Sequence, residues 1–319
     1  MATEAKIAAS RIASCNPATG EVLRQFESAT AAEVRAAVAR ARAAQPAWAK
    51  LPVRERVRLL REFKRRLHAA KREVSELITR EAGKPVVEAL LTEVVVVLDA
   101  ARFCIENAPR FLRPERVPHS NPAMKAKSGR LLRDPWGVIG IISPWNYPFS
   151  VPAGETLAAL VTGNAVVLKP SEFTPLCALE LERLLRESGL PEGVFQVVVG
   201  DGASGAALTE SPVDKLIFTG SVATGKRVAQ AAAARLVPAV LELGGKDPMV
   251  VLDDADLDVV SSAAVWGAFV NAGQTCLSVE RCYVHRSLYE KFLEACVEKT
   301  EKLHTGDRKS TRLNSSHRL

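Results

Sequence analysis

The sequence contains six cysteines (Cys15, Cys104, Cys177, Cys276, Cys282 and Cys296) but no C-x-x-C pair and no cysteine–histidine cluster at zinc spacing. That absence excludes a zinc ribbon or a dithiol redox motif, and no metal site is expected. In a protein of this kind the cysteines are read singly, as reduced thiols, each more often a small buried hydrophobe than a reagent. No apolar run approaches the ~20 residues needed to span a bilayer. The start, MATEAKIAASRIASCNPATG, lacks the apolar stretch of a secretory signal. The expectation is a cytoplasmic protein with no membrane partner. Aromatic residues are not interleaved with the bases and no docking motif is present, so the net charge of +7 does not argue for nucleic acid. The last thirteen residues, DRKSTRLNSSHRL, supply +3 of it, and the rest is spread among mixed acids and bases. There is no internal repeat.

What is present is enough for two domains: 319 residues, 47% hydrophobic and 25% charged. Residues 30–106 read as helices. VRERVRLLREFKRRLHAAKREVSELITREAG carries Val57, Leu60, Phe63 and Leu67 on one stripe, and Gly83 with Pro85 marks its end. EALLTEVVVVLDAARFCIENA reads as a second, more buried helix. Residues 107–135 are proline-punctuated, and SGRLLRDPWG is expected to hold a short strand, with about 123–135 an excursion from the main body. From Pro135 onward strands alternate with helices: WGVIGIIS, NAVVLKP, GVFQVVVG, KLIFTG and LVPAVLELGG are the strands. The expected fold is therefore α/β, a doubly wound parallel sheet covered on both faces, with ligands at the strands' carboxyl ends. A second α/β unit is expected to start near 243 with MVVLDDADLDVV. The expected division is 1–242 for the first domain with its N-terminal helices, 243–306 for a partial second domain, and 307–319 for the tail.

Several polar motifs fall just after these strands. Gly200-Asp201-Gly202-Ala203-Ser204-Gly205 matches G-x-G-x-x-G, but it follows the third strand of the alternation and not the first. A glycine-rich turn needing positive φ is an equal reading. Lys169-Pro170-Ser171-Glu172 closes the second strand, where a ribose-binding carboxylate belongs in a mononucleotide-binding half. Phe218-Thr219-Gly220-Ser221 opens a helix bearing Gly225, whose free N–H groups suit a pyrophosphate, although a plain serine cap reads equally well. Glu242, in Leu241-Glu242-Leu243-Gly244-Gly245-Lys246, is either a carboxylate desolvated into general-base range or one that is paired with Lys246 or exposed. In Pro144-Trp145-Asn146-Tyr147-Pro148 two prolines fix a turn, and Asn146 is an amide donor or a turn residue. VNAGQTCLSV places Cys276 on the turn after a helix. An exposed thiol near free N–H groups there would gain thiolate character.

PWNYP, KPSE, FTGS-x-x-x-G, LELGGK and F-V-N-A-G-Q-x-C, in this order, resemble the aldehyde dehydrogenase superfamily over residues 12 to 306. The resemblance implies that Cys276 is the nucleophile, Glu242 the deacylation base and Asn146 the oxyanion donor. It implies nucleotide contacts at Trp145, Lys169, Ser171, Glu172, Gly220, Ser221, Gly225 and Leu243, and it takes G200–G205 out of the pyrophosphate site. The implied reaction oxidises an aldehyde to a carboxylic acid with NAD, NADP also being compatible, through a cysteine thiohemiacetal and thioester. The small-molecule aldehyde is the expected partner, in a homo-oligomeric parent protein. Two other readings are a non-catalytic or inactive truncated dinucleotide-binding relative, and an enzyme passing its acyl group to coenzyme A or phosphate. Glu242 favours water as acceptor.

RKSTRLNSSHRL departs from that pattern, with no period of 2 or 3.6 and only two apolar residues. Codons for 307–317 can be chosen to match a sequencing-library adaptor, so the tail is expected to be non-native and the sequence to be truncated at its carboxyl end. The strands that pair with MVVLDD are then expected to be missing, leaving an aggregation-prone and inactive protein.

Overall fold

The computed structural model describes residues 11–118, 120–124 and 126–303. The tail from 307 lies outside them. The fold opens with a hairpin that the periodicity does not announce, β1 (Arg11–Cys15) paired antiparallel with β2 (Val22–Glu27). Helix α1 (Ala31–Lys50) starts at a capping box: the Thr30 side chain accepts from the Glu33 N–H, and the Glu33 carboxylate accepts from the Thr30 N–H. The stretch read as one helix is two, α2 (Val53–Ala69) and α3 (Lys71–Ala82), broken at Ala70, where ψ rises to 8°. Gly83 ends α3 as expected, in a left-handed conformation at φ 87° that L side chains resist.

The next segment is α4 (Val86–Ala89), a π-helical turn over Leu90–Val94, and α5 (Val95–Phe111). It is less buried than its apolar run suggests. Val94, Val97, Ala101 and Ala108 face the core, whereas Leu91, Val96 and Phe103 are exposed. An apolar composition all round a helix does not decide which stripe finds a partner. β3 (Glu115–Val117) and β4 (Gly129–Leu131) form an antiparallel ribbon in the proline-rich region.

The alternation after Pro135 folds as read. β5 (Val138–Ile142), α6 (Ser150–Val161), β6 (Ala165–Lys169), α7 (Pro175–Glu187), β7 (Phe195–Val197), α8 (Gly202–Glu210), β8 (Lys215–Gly220), α9 (Val222–Ala234) and β9 (Ala239–Leu243) follow one another. The five strands make one parallel sheet in the order β7-β6-β5-β8-β9. Along β6 the period of two divides the core: Val166 and Leu168 join the cluster under α2, α5, α6 and α7, and Ala165 and Val167 join that under α1, α8 and α9. Strand order reverses between β5 and β8, so the crevice outside their carboxyl ends is where such a sheet takes a ligand.

β10 (Asp247–Val251), α10 (Leu257–Phe269), β11 (Val279–Val284) and α11 (Tyr289–Glu301) complete the described fold. β11 pairs with β10 in parallel. This corrects the expectation that no strand partners MVVLDD. VERCYV, three residues beyond Cys276, is short and half polar, which hides it as a strand, and α10 supplies the crossover that brings it back. Among the described residues no helix is long and apolar enough to cross a membrane.

Candidate active site

Loops from the carboxyl ends of β5 and β9 and the turn after α10 meet at the sheet's crevice. Beyond α10 a single 3₁₀ turn, Val270–Gly273, holds Asn271 and Ala272 in left-handed conformations, φ 52° and 56°. These reverse the backbone and put Cys276, exposed, on the following turn. The Asn271 amide donates to two carbonyls, Asn146 at 3.1 Å and Gln274 at 3.1 Å, which holds the turn. Asn146, half-buried, donates its own amide to the Gln274 carbonyl at 2.9 Å, and Tyr147 Oη lies 3.0 Å from Thr275 Oγ1. A Cβ built on Gly245 would come 3.9 Å from the Cys276 carbonyl oxygen. PWNYP, LELGGK and NAGQTC, far apart in sequence, thus converge.

The PWNYP loop is anchored from behind. Lys84 and Glu93 form an ion pair at 2.6 Å with both side chains fully buried. Lys84 also donates to the Asn146 carbonyl at 2.9 Å and sits 3.9 Å over the Tyr147 ring. Glu93 accepts from the N–H groups of Phe149 (3.0 Å) and Ser150 (2.8 Å), satisfying the start of α6. Burial pushes the Tyr147 hydroxyl above its usual range, offset in part by Thr275. Sequence reasoning missed Lys84, Glu93 and Asn271. Lys84-Pro85 and the lone acid in LLTEVVVV are the signals that remained: a buried apolar helix rarely retains a carboxylate without a partner.

Glu242 lies on β9 and is exposed. Of the two readings left open by the sequence, its exposure agrees with the second. Lys246 does not pair with it; it pairs with Glu280. No hydrogen bond links Glu242 to Asn146 or Cys276 among the described residues.

The residues expected to meet a nucleotide lie at or shortly after the carboxyl ends of β5, β6, β8 and β9. Lys169 is buried and lies 3.3 Å from the half-buried Glu172; burial lowers the Lys169 ammonium, and Glu172 partly restores it. Ser171 is buried, and its hydroxyl accepts from the Phe173 N–H at 3.3 Å. Ser221 caps α9, accepting from the Thr224 N–H at 3.2 Å, with Gly220 just before it. A Cβ on Gly225 would meet Leu243 at 2.5 Å, so this glycine serves the packing of α9 on β9. Trp145, just past β5, is exposed. Ser143 Oγ, buried at the end of β5, has no hydrogen-bond partner among the described residues.

G200–G205 is a different feature. None of its glycines has positive φ, which corrects the turn reading. Asp201 caps α8, accepting from the N–H groups of Ala203 and Ser204, and a Cβ on Gly200 would run into the Ser204 side chain. Close approach, not backbone handedness, selects glycine there.

The sequence model of the aldehyde dehydrogenase family matches residues 4–316. A 4,4'-diapolycopene aldehyde oxidase of Methylomonas sp is 42% identical over 295 residues, 92% of this chain and 56% of that protein. An aldehyde dehydrogenase from Bacillus cereus, solved as its NAD+ complex, superposes with a TM-score of 0.89 at 33% identity, covering 94% of this chain and 61% of that one. An NADP-dependent enzyme from E. coli gives 0.89 at 36% identity, with 94% and 62% covered. The chain therefore spans 56 to 62% of the length of these proteins.

Proposed function

This chain belongs to the aldehyde dehydrogenase family, and from that premise we propose that its crevice oxidises an aldehyde to a carboxylic acid on Cys276. The observation that carries the reading is the convergence of Asn146 and the Cys276 loop on the Gln274 carbonyl. The Cys276 thiolate adds to the aldehyde carbon. Asn146 Nδ2 and the Cys276 N–H stabilise the resulting oxyanion, donors whose value comes from being fixed before the charge develops. A nicotinamide, when bound, would supply the acceptor for the hydride lost from the aldehyde carbon, whose departure leaves a thioester on Cys276. Glu242 then takes a proton from water, which attacks the thioester carbon and releases the acid and the thiolate.

The residues fit a dinucleotide. Glu172 stands where ribose hydroxyls are read, the α9 N-terminus offers N–H groups and a positive dipole end, and Ser143 Oγ is an orphaned buried polar atom between them. NAD and NADP are each named for a structural relative; Glu172 favours NAD, since its carboxylate repels a 2′-phosphate. The retention of Cys276, Glu242 and Asn146 disfavours a non-catalytic role. The same proposal takes the segment from 243 as a second domain, since β10 and β11 pair with each other and not with the five-stranded sheet. It also takes the β3–β4 ribbon, with Val117 and Leu131 exposed, as a subunit contact, and the cytoplasm as the location.

The test is NAD(P)H formation from a panel of aldehydes, with Cys276→Ser and Glu242→Gln alongside. Cys276→Ser is expected to abolish it and Glu242→Gln to leave a single burst; full turnover by Cys276→Ser would sink the assignment.

A further inference from the structure

The first turns of α6 and α7 are each held by a carboxylate from a distant helix. Glu93 serves α6, through the Phe149 and Ser150 N–H groups. Glu81, in the last turn of α3, serves α7 in the same way. Its Oε1 accepts from the Leu176 N–H and its Oε2 from the Cys177 N–H, both at 2.8 Å. Oε1 also accepts from Ser14 Oγ of β1 at 2.6 Å. Glu81 is buried, and unlike Glu93 it makes no ion pair among the described residues.

A local cap was at hand and is not used. Thr174 occupies the N-cap position of α7, where a hydroxyl ordinarily takes a main-chain donor. Its Oγ1 is instead buried with no hydrogen-bond partner among the described residues. Burial pushes the Glu81 carboxyl above its usual range, and Ser14 and the two N–H groups pull it back. Glu155 of α6 shows what a buried carboxyl lacks without such donors. It accepts from Thr219 Oγ1 at 3.2 Å through one oxygen and leaves the other buried and unpartnered among the described residues. Both oxygens of Glu81 are filled, and main-chain donors on one helix fix that helix in place and direction. A Thr174 cap could not tie α7 to α3 and, through Ser14, to the β1–β2 hairpin. Glu81 does.

The start of α7 is also the end of the loop that carries Glu172. Pro170 and Pro175 restrict the backbone on either side of residues 171–174. Between them Ser171 Oγ accepts from the Phe173 N–H at 3.3 Å, and the Ser171 carbonyl accepts from the Thr174 N–H at 3.2 Å. A turn closed in this way passes a shift of α7 on to Glu172 with little slack. We propose that Glu81 is a positioning residue for the cofactor: by holding the first turn of α7 it sets Glu172 against the ribose hydroxyls of the dinucleotide, while Glu93 separately sets the loop carrying Asn146. Glu81 itself touches neither cofactor nor substrate. The inference rests on the reading of Glu172 as the ribose contact.

The test is the Kd for NAD, read by tryptophan fluorescence without turnover, beside the hydride-burst rate at saturating NAD. Glu81→Gln keeps the shape but puts an amide N–H₂ where one main-chain donor needs an acceptor. It should weaken NAD binding by about 10-fold and keep the burst rate. Ser14→Ala should weaken it by a smaller factor, and it decides the matter by the same criteria if Glu81→Gln does not fold. Glu93→Gln should do the reverse, slowing the burst with the Kd kept. A purely structural role would lower the burst amplitude while leaving the Kd unmoved, and that result overturns the proposal. Because Glu81 acts through Glu172, adding Glu81→Gln to Glu172→Ala should weaken NAD no further; equal losses in both backgrounds overturn it. Weaker binding in Glu172→Ala with none in Glu81→Gln overturns the proposal alone. Unchanged binding in Glu172→Ala, or no NAD binding by the unaltered protein, overturns the ribose reading and the proposal together.

Discussion

The Asn146 side chain donates to the Gln274 carbonyl, two residues before Cys276, at 2.9 Å. This bond fastens the loop after β5 to the loop after α10, so the proposed donor and the proposed nucleophile, carried by separate elements, share one frame. Preorganisation of this kind lets an amide stabilise a developing oxyanion without reorganising.

Asn146→Ala is expected to slow hydride formation by roughly 10²–10³-fold, about 2.7–4 kcal/mol of barrier. The stability loss should be smaller, about 1 kcal/mol for one lost hydrogen bond. Single-turnover kinetics beside a urea melt check both. Equal losses in rate and stability would mean that Asn146 only holds the loop.

Lys84 and Glu93 place that loop through a pair with no exposure. Removing one partner strands the other charge in the core, so Lys84→Met should cost about 3–5 kcal/mol in an unfolding titration. Lys84→Met combined with Glu93→Leu should recover most of it. A single mutant as stable as the parent would show that the pair is reached by solvent.

Much of the sheet was legible because period-two and period-3.6 patterns alternate cleanly after Pro135. Four of the five motifs were legible because each sits at a strand end, and the fifth because it follows the end of a helix. What stayed hidden depends on partners distant in sequence. VERCYV is a strand only once α10 carries it back to β10. The exposure of Glu242 is set by what packs over the face of β9, which its Leu neighbours do not reveal. Glu155 lies in an apolar helix with no motif, and its environment is made by Thr219, 64 residues away.

The two readings of G200–G205 separate by mutation. A Cβ on Gly202 would meet nothing within 4 Å, whereas one on Gly200 would strike Ser204. Gly202→Ala should leave both stability and the apparent KM for NAD unchanged. Gly200→Ala should destabilise by about 1–3 kcal/mol through overpacking. A KM raised by Gly202→Ala would return this segment to the cofactor site.

Ala272 holds φ 56° in the turn before Cys276, a conformation that costs an L residue about 1–2 kcal/mol. Ala272→Gly removes that cost while adding unfolded-state entropy, so the net change should be neutral to about 1 kcal/mol stabilising. Loss of stability in a thermal melt would show that the surroundings favour the alanine methyl. Faster loss of turnover than of stability would place the turn's rigidity in the service of Cys276.

Glu155 makes the protein's stability depend on pH in a calculable direction. Its carboxyl titrates at about 7 in the fold against an unperturbed 4.5. The folded state therefore binds the proton more tightly than the unfolded state does. That contribution is fully present below pH 4.5 and is lost as pH rises through 7. The whole shift corresponds to about 3 kcal/mol, an upper bound for a group that water can still approach. Glu155→Gln keeps the shape and cannot ionise, so it should match the parent in urea melts at pH 4.5 and exceed it by up to about 3 kcal/mol at pH 8. A stability difference constant across that window would mean that the carboxyl is solvated in the fold, and the buried, unpartnered oxygen would have to be reached by water.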